Sequence, residues 1–297
     1  MANILDRLQS GELIVADGAM GSMLMQRGLG PGECPELLNV TKPEIPEEVA
    51  KLYYEAGADI VQTNTFGGSP MKLAEYNLAD RTEELNSAAV KIVQQATGGN
   101  VFISGSCGPS GKLLKPFGDT KPDDLYNGFQ RQIGALIEAG AHIICIETMI
   151  DLQEALLAVK AARSISDQVP VMATMTFDKT PKGFFTMMGV TIKDAVTGLT
   201  DAGASILGSN CGNGIENMIT IAQEFRAFTD LPLLIQANAG MPEMHNGKLG
   251  YPETPDFFAE KTPELIAAGV SIIGGCCGST PEHIKAVRIA VDSYKKE

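Results

Sequence analysis

One short phrase recurs along this chain where a helix gives way to a strand. EAGADI begins at Glu55, EAGAHI at Glu138, DAGASI at Asp201 and AAGVSI at Ala267. Each reads as a helix that stops at a glycine, followed within a few residues by an apolar, largely β-branched run. Glycine takes the left-handed conformation that closes a helix without steric cost. Gly57, Gly140, Gly203 and Gly269 are therefore helix stops, not ligand loops. An internal repeat of this kind constrains the architecture before any single residue does.

The apolar runs are continuous, not alternating, which is the pattern of parallel strands covered on both faces. Eight are predicted, over 13–17, 60–64, 101–106, 143–147, 171–176, 206–210, 233–237 and 271–275. Helical patterns separate them. Pro46-Glu47-Glu48 opens one with proline and acids in its first turn. Asp80 with Glu83 gives a start like a capping box, 151–163 is rich in Leu and Ala, and Pro281-Glu282 opens the last helix. Eight β-α units in 297 residues predict a (β/α)8 TIM barrel, a single domain over 1–297 with no Pro/Gly/Ser linker. The longest irregular stretch, 18–46, follows the first strand and is expected over the mouth of the barrel, where barrel active sites lie.

Composition narrows the partners. Lys and Arg number 23 against 36 acids, a formal charge of −13. Such a chain is repelled by nucleic acid and by anionic membranes and attracts basic protein patches. The opening segment has no basic stretch followed by an apolar one, and no apolar run reaches the ~18 residues of a membrane span. Six cysteines in such a chain do not form a disulfide framework, so a reducing, cytoplasmic setting is expected, with thiols free or metal-bound.

Barrel strands converge at their C-terminal ends, so chemistry is sought there. The ends read Asp17-Gly18-Ala19-Met20, Thr63-Asn64-Thr65, Ser106-Cys107-Gly108, Glu147-Thr148, Thr176-Phe177-Asp178, Asn210-Cys211-Gly212, Asn238-Ala239-Gly240 and Gly275-Cys276-Cys277-Gly278. Cys211 ends strand six, Cys276 and Cys277 end strand eight, and neighbouring ends lie a few ångströms apart. Three soft thiolates favour zinc, and three protein ligands leave a fourth position open for catalysis. Adjacent cysteines point to opposite faces of an ideal strand, so the chain must turn there, with Gly274, Gly275 and Gly278 giving it freedom. An iron–sulfur cluster usually needs four thiolates. Cys34, Cys107 and Cys145 read as packing residues. His142 opens strand four at the far face, His245 lies in a polar loop and His283 on the last helix, which leaves a Ser/His or Cys/His pair without support.

Glu147 and Asp17 close strongly apolar strands, face the mouth and suit a cationic amine. The amides of Gly18 and Ala19 suit a carboxylate. A sulfur amino acid fits such a pocket, with its ammonium on acid, its carboxylate on amides and its thiol on the metal.

The segments DGAMGSML, GADIVQTNTFGG, CIETMIDLQEALLA, NCGNG, QANAG and GGCCGSTPEHI resemble the homocysteine S-methyltransferase family over almost the whole chain. Within it the chain is most similar to the homocysteine-binding barrel of cobalamin-dependent methionine synthase. The resemblance implies zinc on Cys211, Cys276 and Cys277, the substrate ammonium on Glu147, and the amino-acid end of homocysteine at Asp17, Gly18 and Ala19. It sets Asn238 beside the metal, in the fourth position when substrate is absent. Zinc deprotonates the homocysteine thiol, which then attacks a donor methyl to give methionine. No folate or cobalamin module is read within these 297 residues, so the expected donor is methylcobalamin on a separate corrinoid protein, with a barrel cut from a longer enzyme as the alternative. Betaine, S-methylmethionine and S-adenosylmethionine are the small-donor alternatives. A closed aromatic cage for them is disfavoured by the absence of Trp and an aromatic content of 6%. Two rival readings stand beside this one. Gly274-Gly275 with Ser279-Thr280-Pro281 is similar to a barrel phosphate site, although no strand end carries the lysine an aldolase would want. A zinc-storing or corrinoid-docking subunit without turnover is the other.

Overall fold

A computed structural model of the chain describes residues 3–245 and 248–294. Eight strands build the barrel: β1 (Ile14–Val15), β2 (Ile60–Gln62), β3 (Phe102–Cys107), β4 (Ile143–Met149), β5 (Val171–Met175), β6 (Ile206–Asn210), β7 (Leu233–Ala237) and β8 (Ile272–Gly275). They form one parallel sheet in the order β1-β8-β7-β6-β5-β4-β3-β2. A parallel bridge between Ala16 and Ile60 joins its two edges. Asp17 N–H donates to the Ile60 carbonyl at 3.0 Å, so the ring is closed as the eight apolar runs predict.

Each strand is followed by a covering helix: α1 (Glu44–Glu55), α2 (Thr82–Thr97), α3 (Pro122–Glu138), α4 (Leu152–Ile165), α5 (Ile192–Ala202), α6 (Ile215–Arg226), α7 (Pro255–Ala267) and α8 (Pro281–Ser293). The four repeat glycines stand in the left-handed region, with φ of +97° at Gly57, +105° at Gly140, +102° at Gly203 and +89° at Gly269. Outward strand residues and inward helix residues form one continuous apolar shell. Tyr53, Phe129, Phe225 and Phe258 are fully buried there, each worth about 1.5–3 kcal/mol.

Inside the ring, side chains stack in layers. The lowest layer is Ile14, Ile60, Phe102, Ile143, Met172, Ile206, Leu234 and Ile272, and Ile4 and Leu8 of the helix Ile4–Gln9 seal it from below. Two residues further along each strand the same face carries smaller or polar groups, among them Gln62, Ser104, Cys145, Thr174 and Gln236. Polarity therefore rises toward the mouth.

Some local expectations are corrected. The first covering helix begins at Glu44, two residues before Pro46. Asp80 and Glu83 form no capping box: Asp80 lies in a 3-10 turn, and Arg81 precedes the helix without a side-chain cap. The stretch 18–46 is not irregular throughout, since it carries the helices Met20–Gln26 and Leu38–Thr41 and a 3-10 turn, Pro35–Leu37. Strand β4 runs two residues past Glu147, with a register shift between Ile146 and Met149. Among the described residues no helix is long and apolar enough to cross a membrane.

Candidate metal centre

The register of the last strands sets the level of the thiols. Asn210 pairs with Gln236, and Gly275 pairs with Ala237. Cys211, Asn238 and Cys276 therefore leave the ladder side by side. Cys211 turns abruptly, at φ +61°, a left-handed conformation that costs a residue other than glycine about 1–2 kcal/mol. On β8, Cys276 N–H still donates to the Ala237 carbonyl at 2.7 Å, while the Cys277 carbonyl accepts from Ala239 at 3.0 Å. The chain then turns through Gly278 at φ +78°, where a Cβ would stand 2.1 Å from the Tyr251 ring. This turn brings both adjacent sulfurs to one side, as the sequence requires.

The sulfurs of Cys211, Cys276 and Cys277 lie within 4.8 Å of one another, with Cys211 and Cys277 3.8 Å apart. Zinc with sulfur at about 2.3 Å in a tetrahedron separates two sulfurs by about 3.8 Å, so the donor set fits that ion in number, softness and spacing. Hydrogen bonds from Cys276 and Cys277 hold the Cys211 thiol far below the usual thiol range. Contact with Cys211 pushes the other two thiols up, because a second negative charge opposes the first. A cation is what would let all three ionise. Asn238 is buried and also bonds to Cys211, and its Oδ1 has no hydrogen-bond partner. That orphaned oxygen beside the sulfurs suits an open fourth position.

Two buried carboxylates face the same chamber. Glu147 accepts from the Ser106 hydroxyl on one oxygen and from Asn210 Nδ2, at 3.3 Å, on the other. Asp17 accepts from the Gln62 backbone N–H at 2.7 Å, and its other oxygen is unpartnered. Burial first, and the Glu147 charge after it, push Asp17 up to about 8. Burial likewise raises Glu147 to about 7, against the Ser106 hydrogen bond. Beside Asp17, Gly18 has no room for a side chain: a Cβ would meet Ser279 Oγ at 2.7 Å and the Tyr53 ring at 2.9 Å. The Ala19 amide donates to Ser279 Oγ at 3.1 Å, so that donor is already engaged.

All eight residues singled out at the strand ends (Asp17, Gly18, Ala19, Glu147, Cys211, Asn238, Cys276 and Cys277) thus line one end of the barrel. Cys34, Cys107 and Cys145 are buried and take no part in the cluster. His142 Nδ1 accepts from Ile103 N–H at the far end. His283 Nδ1 accepts from Thr280 N–H at the start of α8. His245 ends the short strand Glu243–His245, and its side chain lies outside the described residues. The phosphate reading loses ground at α8, where Glu282 accepts from the Thr280 hydroxyl at 2.6 Å and sets a carboxylate in the first turn. Two contributors carry no motif. Tyr251 packs on the cysteine turn and bonds to Cys277. Asn210 was visible only as the residue before Cys211; its signal is strand parity, which aims it inward like Glu147.

A closed parallel barrel whose C-terminal mouth gathers three thiols beside two buried carboxylates is the class that fold and site define. The homocysteine S-methyltransferase profile matches residues 14–291, and the chain belongs to that family. It is 32% identical over 311 residues to methionine synthase of Mycobacterium tuberculosis, across 99% of this chain and 26% of that protein. To methionine synthase of Mycobacterium leprae it is 31% identical over 296 residues, across 94% of this chain and 24% of that one. The chain therefore spans about a quarter of the length of these relatives. The metallated form of the homocysteine methyltransferase MmuM from Escherichia coli shares the fold, with a TM-score of 0.79 at 24% identity over 95% of this chain and 97% of that one. So does a methyltransferase from Methanosarcina mazei, with a TM-score of 0.60 at 14% identity over 95% and 94%.

Proposed function

We propose that this chain, as one barrel domain over 1–297, methylates the sulfur of homocysteine to give methionine with zinc held by Cys211, Cys276 and Cys277. The observation that carries the reading is the convergence of three sulfurs within 4.8 Å at the mouth that also holds Glu147 and Asp17. Bound zinc supplies a deprotonated, electron-rich thiol at neutral pH. The chain's own residues do the rest. Ser106 and Asn210 fix both oxygens of Glu147, which orients the carboxylate toward the substrate ammonium. Asp17 is the second acid for that ammonium. The tight backbone at Gly18 and Ala19 lies at the carboxylate end of the amino acid. Asn238 Oδ1, unpartnered beside the sulfurs, would be the oxygen at hand for a bound zinc when no substrate sulfur is present. A reducing, cytoplasmic setting belongs to the same reading, since accessible thiols 3.8 Å apart would otherwise be prone to oxidation.

The donor in this reading is a methylated corrinoid, methylcobalamin, presented by a separate protein. Support comes from the rim of the mouth. Met25 of the helix Met20–Gln26, Met244 of the short strand Glu243–His245, and Phe66, Leu113, Phe117, Met187 and Met241 are exposed large apolar side chains in the segments between barrel strands and their covering helices. An apolar rim of this extent suits a bulky planar donor on a macromolecule. The test is kinetic: purified chain, zinc and homocysteine are mixed with methylcobalamin or with betaine, S-methylmethionine or S-adenosylmethionine, and methionine is measured. Methionine from the corrinoid, with docking weakened by salt, is expected. Turnover with a small donor alone overturns the corrinoid assignment, and no turnover with any donor favours the docking-subunit reading.

A further inference from the structure

Asn210 ends β6 and is completely buried. Its amide orientation is settled by partners that cannot exchange roles. The backbone N–H of Thr148 can only donate, and it reaches Asn210 Oδ1 at 2.8 Å. The Thr174 hydroxyl bonds to the same oxygen at 2.7 Å. Nδ2 must then face the other way, where every neighbour accepts: Thr148 Oγ1 at 2.8 Å, Glu147 Oε2 at 3.3 Å and Cys276 Sγ at 3.8 Å. The two protons of that nitrogen are thus shared among a hydroxyl, a carboxylate and a sulfur.

The backbone is distorted to grip this side chain. In a regular strand the Thr148 N–H would point along the ladder. Here the β4 register shifts between Ile146 and Met149, and Thr148 stands at φ +60°. That conformation costs a β-branched residue, and it persists because the neighbouring structure over-determines it. What it achieves is a donor aimed at Asn210 Oδ1, one residue after Glu147.

We infer that Asn210 is a positioning residue that sets Glu147 and Cys276 in register through one amide, so that the ammonium and sulfur ends of the substrate are held at a fixed separation. The inference rests on the proposed reading of Cys276 as a metal ligand and Glu147 as the ammonium acceptor. Donation to the sulfur also orients it and favours the thiolate form that ligates a metal, the kind of outer contact whose loss typically costs 10–100-fold in metal affinity. A residue that merely filled space would move neither the sulfur's electronic properties nor both ends of the site together.

The experiment uses the whole chain and two variants. Asn210→Asp keeps volume and the oxygen that Thr148 and Thr174 bind, and replaces both protons with an acceptor. Asn210→Ser adds no charge and is too short to reach Glu147 or Cys276. Zinc affinity is measured by chelator competition without homocysteine. The sulfur-to-cobalt charge-transfer band is recorded after cobalt substitution, and homocysteine affinity is taken by calorimetry. Both variants are expected to lose zinc affinity about 10–100-fold, to shift the cobalt band and to bind homocysteine about tenfold more weakly. Glu147→Gln is expected to weaken homocysteine alone. A folded Asn210 variant with the parent's zinc affinity and cobalt spectrum overturns the inference. A parent chain that binds no zinc overturns the proposed function instead, so the two failures are distinct.

Discussion

The sulfur of Cys211 stands 3.8 Å from that of Cys277, across 66 positions of sequence. Two hydrogen-bonded registers produce this contact, Asn210 with Gln236 and Gly275 with Ala237, and a left-handed turn on each side completes it. The separation matches two corners of a zinc–thiolate tetrahedron.

Purified protein is therefore expected to carry close to one zinc per chain by elemental analysis. Cys276→Ser should lose most of it. Undiminished zinc in Cys211→Ala, Cys276→Ala and Cys277→Ala alike would sink the site.

Glu147→Gln keeps the shape of the side chain and its Ser106 contact but removes the charge. Homocysteine binding should weaken by about 1.5–3 kcal/mol, the range for a hydrogen bond to a charged group. Zinc content should be unchanged, because Glu147 is not among the converging sulfurs. Titration calorimetry decides it, and an unaltered affinity refutes the ammonium role.

Asp17 and Glu147 titrate near 8 and 7 in the folded chain, above ordinary carboxyls, because both are buried. From about pH 4 to those values the folded state holds protons that the unfolded chain has released. Substrate-free stability should therefore decline as pH rises through that window and level off above it. A bound ammonium favours the ionised acids. Homocysteine should accordingly bind more tightly at about pH 8 than at about pH 6, and release protons at the lower pH. Calorimetry in two buffers of different ionisation enthalpy reads the protons directly. Affinity flat across that range would count against the acid pair.

Gly18→Ala places a methyl 2.7 Å from Ser279 Oγ and 2.9 Å from the Tyr53 ring, both buried. The overpacking should cost about 1–3 kcal/mol and lower the melting temperature by several degrees. Gly21, three residues on in the helix Met20–Gln26, has nothing within 4 Å of its would-be Cβ. Gly21→Ala should leave stability unchanged or raise it by about 0.5–1 kcal/mol. Equal melting of the two variants would show that the Gly18 contact is not tight.

What the sequence by itself determined is what local chemistry dictates. Gly57, Gly140, Gly203 and Gly269 stop helices because only glycine rests easily at positive φ. The apolar runs become parallel strands because both of their faces are covered. The family segments put Cys211, Cys276 and Cys277 at strand ends, where a barrel collects its chemistry. Local patterns also misled: the cap expected at Asp80 and Glu83 yields to a 3-10 turn, because packing fixes where that helix starts. Only the tertiary structure decided how the strand ends meet. The bridge between Ala16 and Ile60 closes the ring, and the registers of β6 on β7 and of β7 on β8 set the distance between sulfurs on different strands. It decided that the Ala19 amide is engaged by Ser279. It also made Asn210, an unremarked residue before a cysteine, the link between Glu147 and Cys276. Those contacts depend on positions far apart in the chain, and no local period or propensity encodes a distance that exists only once the strands have paired.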